Sequence, residues 1–185
     1  MRFGSPKMLA HVIDTWREAA FEEILVVLGK DASGLRTKVE EELLRDPGAP
    51  PPVRFVENPE WESGMFSSVQ CGLSALRRCA STHIALAPAD LPFLKSSSLR
   101  TILEATNLPE ADSHTLLVPV CGRRRGHPLV IPVALAARVL AWPADARLNR
   151  LFAEPDVKVL HLEGFDDAIL SDVDTPADLV EKPRA

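Results

Sequence analysis

Short apolar runs alternate with amphipathic segments along most of this chain, and that alternation limits the fold more than any other feature. Apolar runs of about four to eight residues are typical of buried strands, whereas apolar residues three or four positions apart are typical of helices. The predicted strands cover residues 24–28, 53–56, 84–86, 116–120, 129–131, 157–162 and 168–170. The predicted helices cover residues 9–20, 35–44, 67–77, 99–105 and 134–140, and Thr175 with Pro176 opens a last one. This alternation indicates an α/β fold with a mostly parallel sheet and helices on both faces.

Size and charge restrict the class of protein. The 185 residues suit one domain spanning residues 1–185, with 46% hydrophobic and 25% charged residues. The 21 basic residues are outnumbered by 26 acidic ones, and the net charge of −5 argues against a general nucleic-acid binder. A nucleotide stays compatible, because it needs only a local positive site.

The sequence indicates neither a membrane-spanning protein nor one that works in an oxidising compartment. No apolar stretch approaches the roughly 20 residues that a membrane span needs. The three cysteines are an odd count without metal-ligand spacing, which suits a reducing cytoplasm. We therefore expect a cytoplasmic protein without membrane or nucleic-acid partners.

Asp90 is the strongest candidate metal ligand. It follows the predicted strand 84–86 in the segment APADLP of residues 87–92. In open α/β sheets, ligands bind beyond the carboxyl ends of the strands. The following Pro92 stiffens the turn and stops the strand. A second carboxylate is available near the end of the chain: Asp172 and Asp174 share a side of an extended segment, and Asp174 serves either as a metal ligand or as a helix N-cap.

Three further segments contain groups that could bind a ligand. Arg2, Gly4 and Lys7 combine two cations with a turn-prone segment, a pattern that suits a triphosphate and also a frayed basic terminus. Residues 58–68 lead from a strand into a helix, where Gly64 allows close approach to free backbone amides, although an ordinary capped loop has the same pattern.

The third segment, residues 122–128, holds three consecutive arginines followed by Gly126 and His127. A concentrated basic loop in an acidic chain suggests an anionic ligand, and solvated arginines are the simpler interpretation. No carboxylate lies beside His127 in sequence, so a structural or substrate-contacting role is favoured over acid–base catalysis.

Together these motifs resemble the MobA/MocA-like nucleotidyltransferases, in particular the molybdenum cofactor cytidylyltransferase-like branch. The motifs occur in the family's order over nearly the whole chain. The matching positions are Arg2, Gly4 and Lys7; Asn58, Gly64, Ser67, Ser68 and Gly72; Asp90 and Pro92; Arg124, Gly126 and Pro128; and Asp172, Asp174, Thr175, Pro176, Asp178 and Leu179.

The resemblance implies a Rossmann-like nucleotidyltransferase fold that transfers CMP, or another nucleoside monophosphate, from an NTP to a small phosphorylated acceptor, with CTP and molybdopterin favoured. Mg²⁺ is the implied cofactor, with Asp90 and Asp174 as its ligands; Lys7 and Asp90 are the implied catalytic residues. The implied nucleotide-binding residues are Arg2, Gly4, Lys7, Asn58, Gly64, Ser67 and Ser68, and the implied acceptor-binding residues are Arg124, Arg125 and His127.

The chain also departs from the family pattern. It begins inside the first motif, so the family's first strand and most of its Gly-rich loop have no counterpart in these 185 residues. That strand is central in the family's sheet, and we expect weak or no transferase activity without it. Two alternatives stay open: transfer to a sugar phosphate or another small phosphate, and a non-catalytic binding or chaperone module for a molybdoenzyme.

Overall fold

The computed structural model describes residues 6–44, 53–76 and 81–173. Its helices are α1 (Pro6–Glu18), α2 (Ala32–Leu43), α3 (Met65–Ala75), α4 (Ser96–Ala105) and α5 (Val133–Leu140). Its strands are β1 (Ile24–Leu28), β2 (Val53–Glu57), β3 (His83–Leu86), β4 (Thr115–Cys121), β5 (Arg124–Arg125), β6 (Leu129–Pro132) and β7 (Lys158–Leu162). Three 3₁₀ turns lie at Trp61–Ser63, Leu148–Ala153 and Asp167–Leu170. Arg2, Gly4, Asp174 and the predicted last helix fall outside these residues.

The described strands form two sheets. β1 and β2 pair in parallel, from Ile24 opposite Val53 to Leu28 opposite Glu57. The larger sheet has the order β3-β6-β4-β5, and β7 pairs with β4 in parallel. No strand pairing joins the two sheets within the described ranges.

Helices cover both faces of the larger sheet, as predicted. Leu116 and Val118 of β4 pack with α3 and α5, whereas the intervening Leu117 packs with α4. This is the period-two alternation of a strand that is buried on both sides. The helix α3 also contacts the smaller sheet. Gly72 of α3 lies so close to Val27 of β1 that an added Cβ atom would be 3.1 Å from the Val27 side chain. α3 therefore holds the two sheets against each other.

Two details differ from the sequence-based expectation. The larger sheet is mixed, since β6 runs antiparallel to β3 and to β4; the connection from Cys121 to Leu129 is too short for the crossover that a parallel partner needs. Residues 168–170 are not a strand. Asp166 accepts a hydrogen bond from the amide of Ala168 and starts a 3₁₀ turn, which buries Ile169 against the α4 side of the core.

No helix in the described parts of the chain combines the length and apolarity that crossing a bilayer requires. The longest of them, α1, has 13 residues and buries Leu9, Ala10, Val12 and Ile13.

Candidate active site

The loop that follows β3 carries Asp90. Two buried residues, Leu91 and Leu94, anchor this loop in the core. The carbonyl oxygen of Asp90 accepts a hydrogen bond from the amide of Val173 at 2.9 Å. That bond ties the loop to the far end of the described chain. It thereby brings Asp172, the neighbour of Val173, to the same edge of the sheet as Asp90.

His127, which precedes β6, lies close to both carboxylates. Its amide donates to the carbonyl oxygen of Ile169 at 2.9 Å, and its imidazole lies near the backbone of Leu86 at the end of β3. Burial lowers the pKa of His127 below its ordinary value, while the polar backbone of Leu86 and the charges of Asp90 and Asp172 act in the opposite direction. The sequence shows no carboxylate beside His127, but the fold supplies two from distant segments.

Gly126 makes this arrangement possible. Its amide donates to the carbonyl oxygen of Pro119 at 2.8 Å. A Cβ atom at this position would lie 2.6 Å from the side chain of Ile169 and 2.7 Å from its carbonyl oxygen. Only glycine allows the two backbone segments to approach this closely. Close packing against Ile169 thus explains why a glycine occupies this position of the family motif.

The edge formed by Asp90, His127 and Asp172 has a donor set that suits a hard divalent cation. Mg²⁺ is usually held by one or two carboxylates together with substrate phosphates rather than by a complete protein cage. The described ranges contain no group of three or more His, Cys, Asp or Glu side chains arranged as a metal site. Two carboxylates at one edge fit the first mode of binding. The predicted ligand Asp174 lies just beyond the described residues.

The second turn of α1 contacts the Asp90 loop. The imidazole Nε2 of His11 lies 3.1 Å from the carbonyl oxygen of Pro92. Lys7 is exposed and one helical turn before His11, so the two side chains lie on the same face of α1. Lys7 therefore lies on the face of α1 whose His11 contacts this loop. Nothing in the local sequence marks His11, because its contact depends on the fold.

The polar side chains of the segment after β2 are bonded to one another. Asn58 is 3% exposed, and its Nδ2 donates to the hydroxyls of Ser67 at 2.8 Å and Ser68 at 3.1 Å. The Ser67 hydroxyl in turn lies 2.9 Å from the carbonyl oxygen of Glu60 and 2.8 Å from that of Gly64. The side chains of Asn58 and Ser67 thus fix the shape of the loop.

The same loop exposes the start of α3. Gly64 has φ 106° and ψ 178°, a backbone conformation that favours glycine, and nothing lies within 4 Å of the position where its Cβ would be. The first amides of a helix have no intrahelical acceptor and can bind an anion. Trp61 packs tightly over Gly29, where an added Cβ would lie 3.0 Å from the Trp61 Cβ. Trp61 is itself 37% exposed, and of the first amides of α3 that of Ser67 donates to the Gly64 carbonyl at 3.2 Å.

The basic loop forms a tight hairpin at the end of β4. Arg124 pairs with Cys121 and Arg125 with Val120, and Gly122 turns the chain with φ 59°. Both arginines are exposed, and neither forms an ion pair with a described residue. The hairpin leads directly into His127, so the basic loop borders the edge that carries the two carboxylates.

Comparison with known proteins identifies the family. The sequence profile of the MobA-like NTP transferase domain matches residues 1–159. The chain belongs to this family. The family predicted from the motifs is thus confirmed, and with it the predicted enzyme class, a nucleotidyltransferase. A curated member of similar sequence, nicotine blue oxidoreductase from Paenarthrobacter nicotinovorans, is 28% identical over 156 residues, which are 83% of this chain and 71% of that protein.

Solved structures show the same fold. Rv0371c from Mycobacterium tuberculosis H37Rv matches with a TM-score of 0.65 at 22% identity, over 97% of this chain and 84% of that one. The same protein has been solved as a manganese complex, which matches with a TM-score of 0.64 at 21% identity, over 94% and 83% of the two chains. A 4-diphosphocytidyl-2C-methyl-D-erythritol synthase matches with a TM-score of 0.66 at 20% identity, over 94% and 87%. The predicted nucleotidyltransferase fold is confirmed.

Proposed function

We propose that this nucleotidyltransferase moves a nucleoside monophosphate from an NTP, with CTP favoured, to the phosphate of a small acceptor such as molybdopterin, using Mg²⁺. The observation that carries the proposal is the convergence of Asp90, His127 and Asp172 at one sheet edge. The arginine hairpin leads directly into His127, and Lys7 lies one helical turn before His11, which contacts the Asp90 loop. Carboxylates with cations nearby suit a metal–triphosphate complex.

Asp90 and Asp174 would hold the metal, with Asp172 beside them. When bound, the metal ion supplies charge neutralisation of the triphosphate. The manganese complex of Rv0371c supports a divalent cation in this fold.

We also propose that the protein works in the reducing cytoplasm. This location is in keeping with Cys71 and Cys121, which are free thiols.

The protein's own groups position the two substrates. In the reaction, an oxygen of the acceptor phosphate attacks the α-phosphorus, the bond from this phosphorus to the bridging oxygen breaks, and pyrophosphate leaves. Lys7 neutralises the triphosphate, the first amides of α3 contact the nucleotide, and Arg124 and Arg125 bind the acceptor's phosphate. Such catalysis depends on orientation and electrostatics and needs no covalent nucleophile.

The test is a pyrophosphate-release assay on the purified chain with each of the four NTPs and Mg²⁺. Each NTP is combined with molybdopterin, 2C-methyl-D-erythritol 4-phosphate, a hexose 1-phosphate or no acceptor. We expect release that is weak but higher with CTP and molybdopterin than with any other pair. Release only with another acceptor would change the substrate assignment. No release with any pair, together with co-purification of a molybdoenzyme, would favour the chaperone role instead.

One observation favours a second candidate, an oxidoreductase: the relative from P. nicotinovorans carries that name and covers 83% of this chain. The discriminating assay follows the absorbance of nicotine blue in the presence of the purified chain and an added redox partner. Turnover in this assay without pyrophosphate release from any NTP would support the second candidate over the first.

A further inference from the structure

Three arginines of the described chain stack on aromatic rings, and one of them differs from the other two. Arg36 lies over Phe55 at 5.7 Å, Arg150 over Trp142 at 4.8 Å and Arg125 over Phe152 at 4.4 Å.

The difference lies in the second partner of each guanidinium. Arg36 also forms an ion pair with Glu40 at 2.8 Å, and Arg150 forms one with Glu154 at 3.2 Å. Arg125 has no carboxylate partner among the described residues, although it lies closest to its ring. An aromatic face holds a guanidinium from one side and leaves its in-plane N–H groups available. Arg125 is thus fixed in place while its forked donors stay open to an anion.

The position of Arg125 relates its guanidinium to the candidate active site. Arg125 is the last residue of β5 and precedes His127 by two positions. Only Gly126 separates Arg125 from His127, and His127 lies near Asp90 and Asp172. An anion bound by Arg125 would therefore lie next to the edge at which the metal and triphosphate are proposed.

Phe152 itself is firmly held. It belongs to the 3₁₀ turn Leu148–Ala153, whose Leu151 is fully buried. Phe152 is half-buried and packs against the hydrophobic cluster formed by α3, α5 and the larger sheet. The ring is therefore an extension of the core that reaches the base of the arginine hairpin. The arginines stand out in the sequence, whereas nothing in the local sequence indicates the ring on which Arg125 stacks.

We propose that Phe152 is a positioning residue that holds the Arg125 guanidinium for a phosphate monoester group of the acceptor. The assignment of that anion to the acceptor rests on the proposed nucleotidyl transfer. The anion site itself rests only on the geometry of Arg125 and Phe152. It predicts an acceptor that carries a terminal phosphate rather than a neutral or cationic group.

The test measures binding of inorganic phosphate by ³¹P NMR titration. It is done in the Lys7→Ala background, which removes a cation expected to bind triphosphate. Phe152→Leu should weaken phosphate binding about three- to tenfold, because the guanidinium loses its stacking partner. Phe152→Trp keeps an aromatic face and should stay within about twofold of the parent. Phe55→Leu, the matched control at a ring whose arginine has its own carboxylate, should leave phosphate binding unchanged.

A second readout follows Arg125 directly. Its Nε–H proton should show a ring-current shift that disappears in Phe152→Leu and persists in Phe152→Trp. If phosphate binding is unchanged when this shift is lost, or if Phe152→Trp weakens binding as much as Phe152→Leu, the proposal is wrong. Should Phe152→Leu fail to fold, Arg125→Gln provides the test, because unchanged phosphate binding in that variant also contradicts the site.

The outcome is separable from that of the proposed function. Calorimetric titration of each variant in the Lys7-containing background with CTP and Mg²⁺ reports on the nucleotide site. Phe152→Leu should bind CTP like the parent. Absent CTP binding in the parent would contradict the nucleotidyl-transfer assignment, whereas the phosphate titration would still decide the role of Phe152.

Discussion

The two halves of the candidate site use their polar residues in opposite ways. After β2, the side chains of Asn58 and Ser67 bond to one another and to backbone carbonyls within the same loop. After β3, Asp90, His127 and Asp172 come from three separate segments. The charges of the two carboxylates act on the imidazole of His127. The first half is neutral and closed, and the second is charged.

This difference indicates a division of labour. A loop whose side chains are bonded internally can offer a ligand its backbone amides in a fixed geometry. A cluster of carboxylates gains most when a cation joins it, because like charges in proximity repel. We therefore expect substitutions in the first half to act mainly on stability and nucleotide affinity. Substitutions in the second half should act mainly on turnover.

The largest expected effect is that of Asp90→Asn. Loss of the carboxylate should lower pyrophosphate release by roughly 100-fold or more, which corresponds to about 3 kcal/mol of transition-state stabilisation. The fold should persist, because the bond from the Val173 amide uses the backbone carbonyl of Asp90. Asp156→Asn, an exposed carboxylate that pairs with Arg138, is the control and should retain full activity. Full activity of the Asp90→Asn variant would contradict the role of the charged half in turnover.

Gly126→Ala tests whether close backbone contact assembles the charged half. The added methyl group would lie 2.6 Å from the side chain of Ile169. We expect the free energy of unfolding to fall by about 1–3 kcal/mol, with reduced activity, as measured by urea denaturation and pyrophosphate release. Gly34→Ala in α2 is the matched control: nothing lies within 4 Å of its Cβ position, so that variant should be about 0.5–1 kcal/mol more stable. Equal stability of the two variants would show that the Gly126 contact is relaxed in solution.

Asn58→Ala tests the neutral half. It removes the donor to Ser67 and Ser68 and should lower the free energy of unfolding by about 1–3 kcal/mol, with weaker CTP binding because the start of α3 shifts. The control is Thr37→Ala, whose exposed hydroxyl donates to the Ser33 carbonyl and which should change stability by less than about 0.5 kcal/mol. A loss of turnover in Asn58→Ala without any loss of CTP affinity would contradict the division of labour.

The smallest effect concerns an ion pair outside both halves. Hydrogen bonding to Arg138 lowers the pKa of Asp156 from 3.8 to about 2. A carboxylate whose folded pKa is lowered stabilises the fold above its ordinary pKa, and this stabilisation is lost as the pH falls towards about 2. Arg138→Gln should return the Asp156 pKa towards 3.8, as followed by ¹³C NMR of its carboxyl group, with activity unchanged. A pKa that stays near 2 in this variant would show that Arg138 is not its cause.

The local pattern of the sequence predicted most elements well, because burial imposes periods that are visible in the residues themselves. The observed strand β4 extends the predicted strand 116–120 by one residue at each end. The predicted helix 99–105 is the C-terminal part of α4. The prediction for residues 168–170 was wrong, because an apolar triplet records burial but not the partner that buries it. Ile169 is buried by packing against the core and not by strand pairing.

The site could be predicted only one residue at a time. Asp90 and His127 stand out in sequence because of the turn residues around them. Their proximity depends on hydrogen bonds from His127 to Ile169 and from Val173 to Asp90, which join positions that are far apart in the chain. The contact of His11 with Pro92 and the stacking of Arg125 on Phe152 have the same origin. No spacing of residues within a short stretch of the sequence predicts such pairs.

The most direct test of the central claim uses Mn²⁺ with CTP as a paramagnetic probe of the histidine ring protons. His127 lies near Asp90, a proposed metal ligand, whereas His114 directly precedes the start of β4, at the opposite end of that strand. We predict that Mn²⁺ with CTP broadens the His127 resonances strongly and those of His114 least, and that Asp90→Asn abolishes the effect. Equal broadening of both residues, or broadening of His127 that survives Asp90→Asn, would contradict a metal–nucleotide site at this edge.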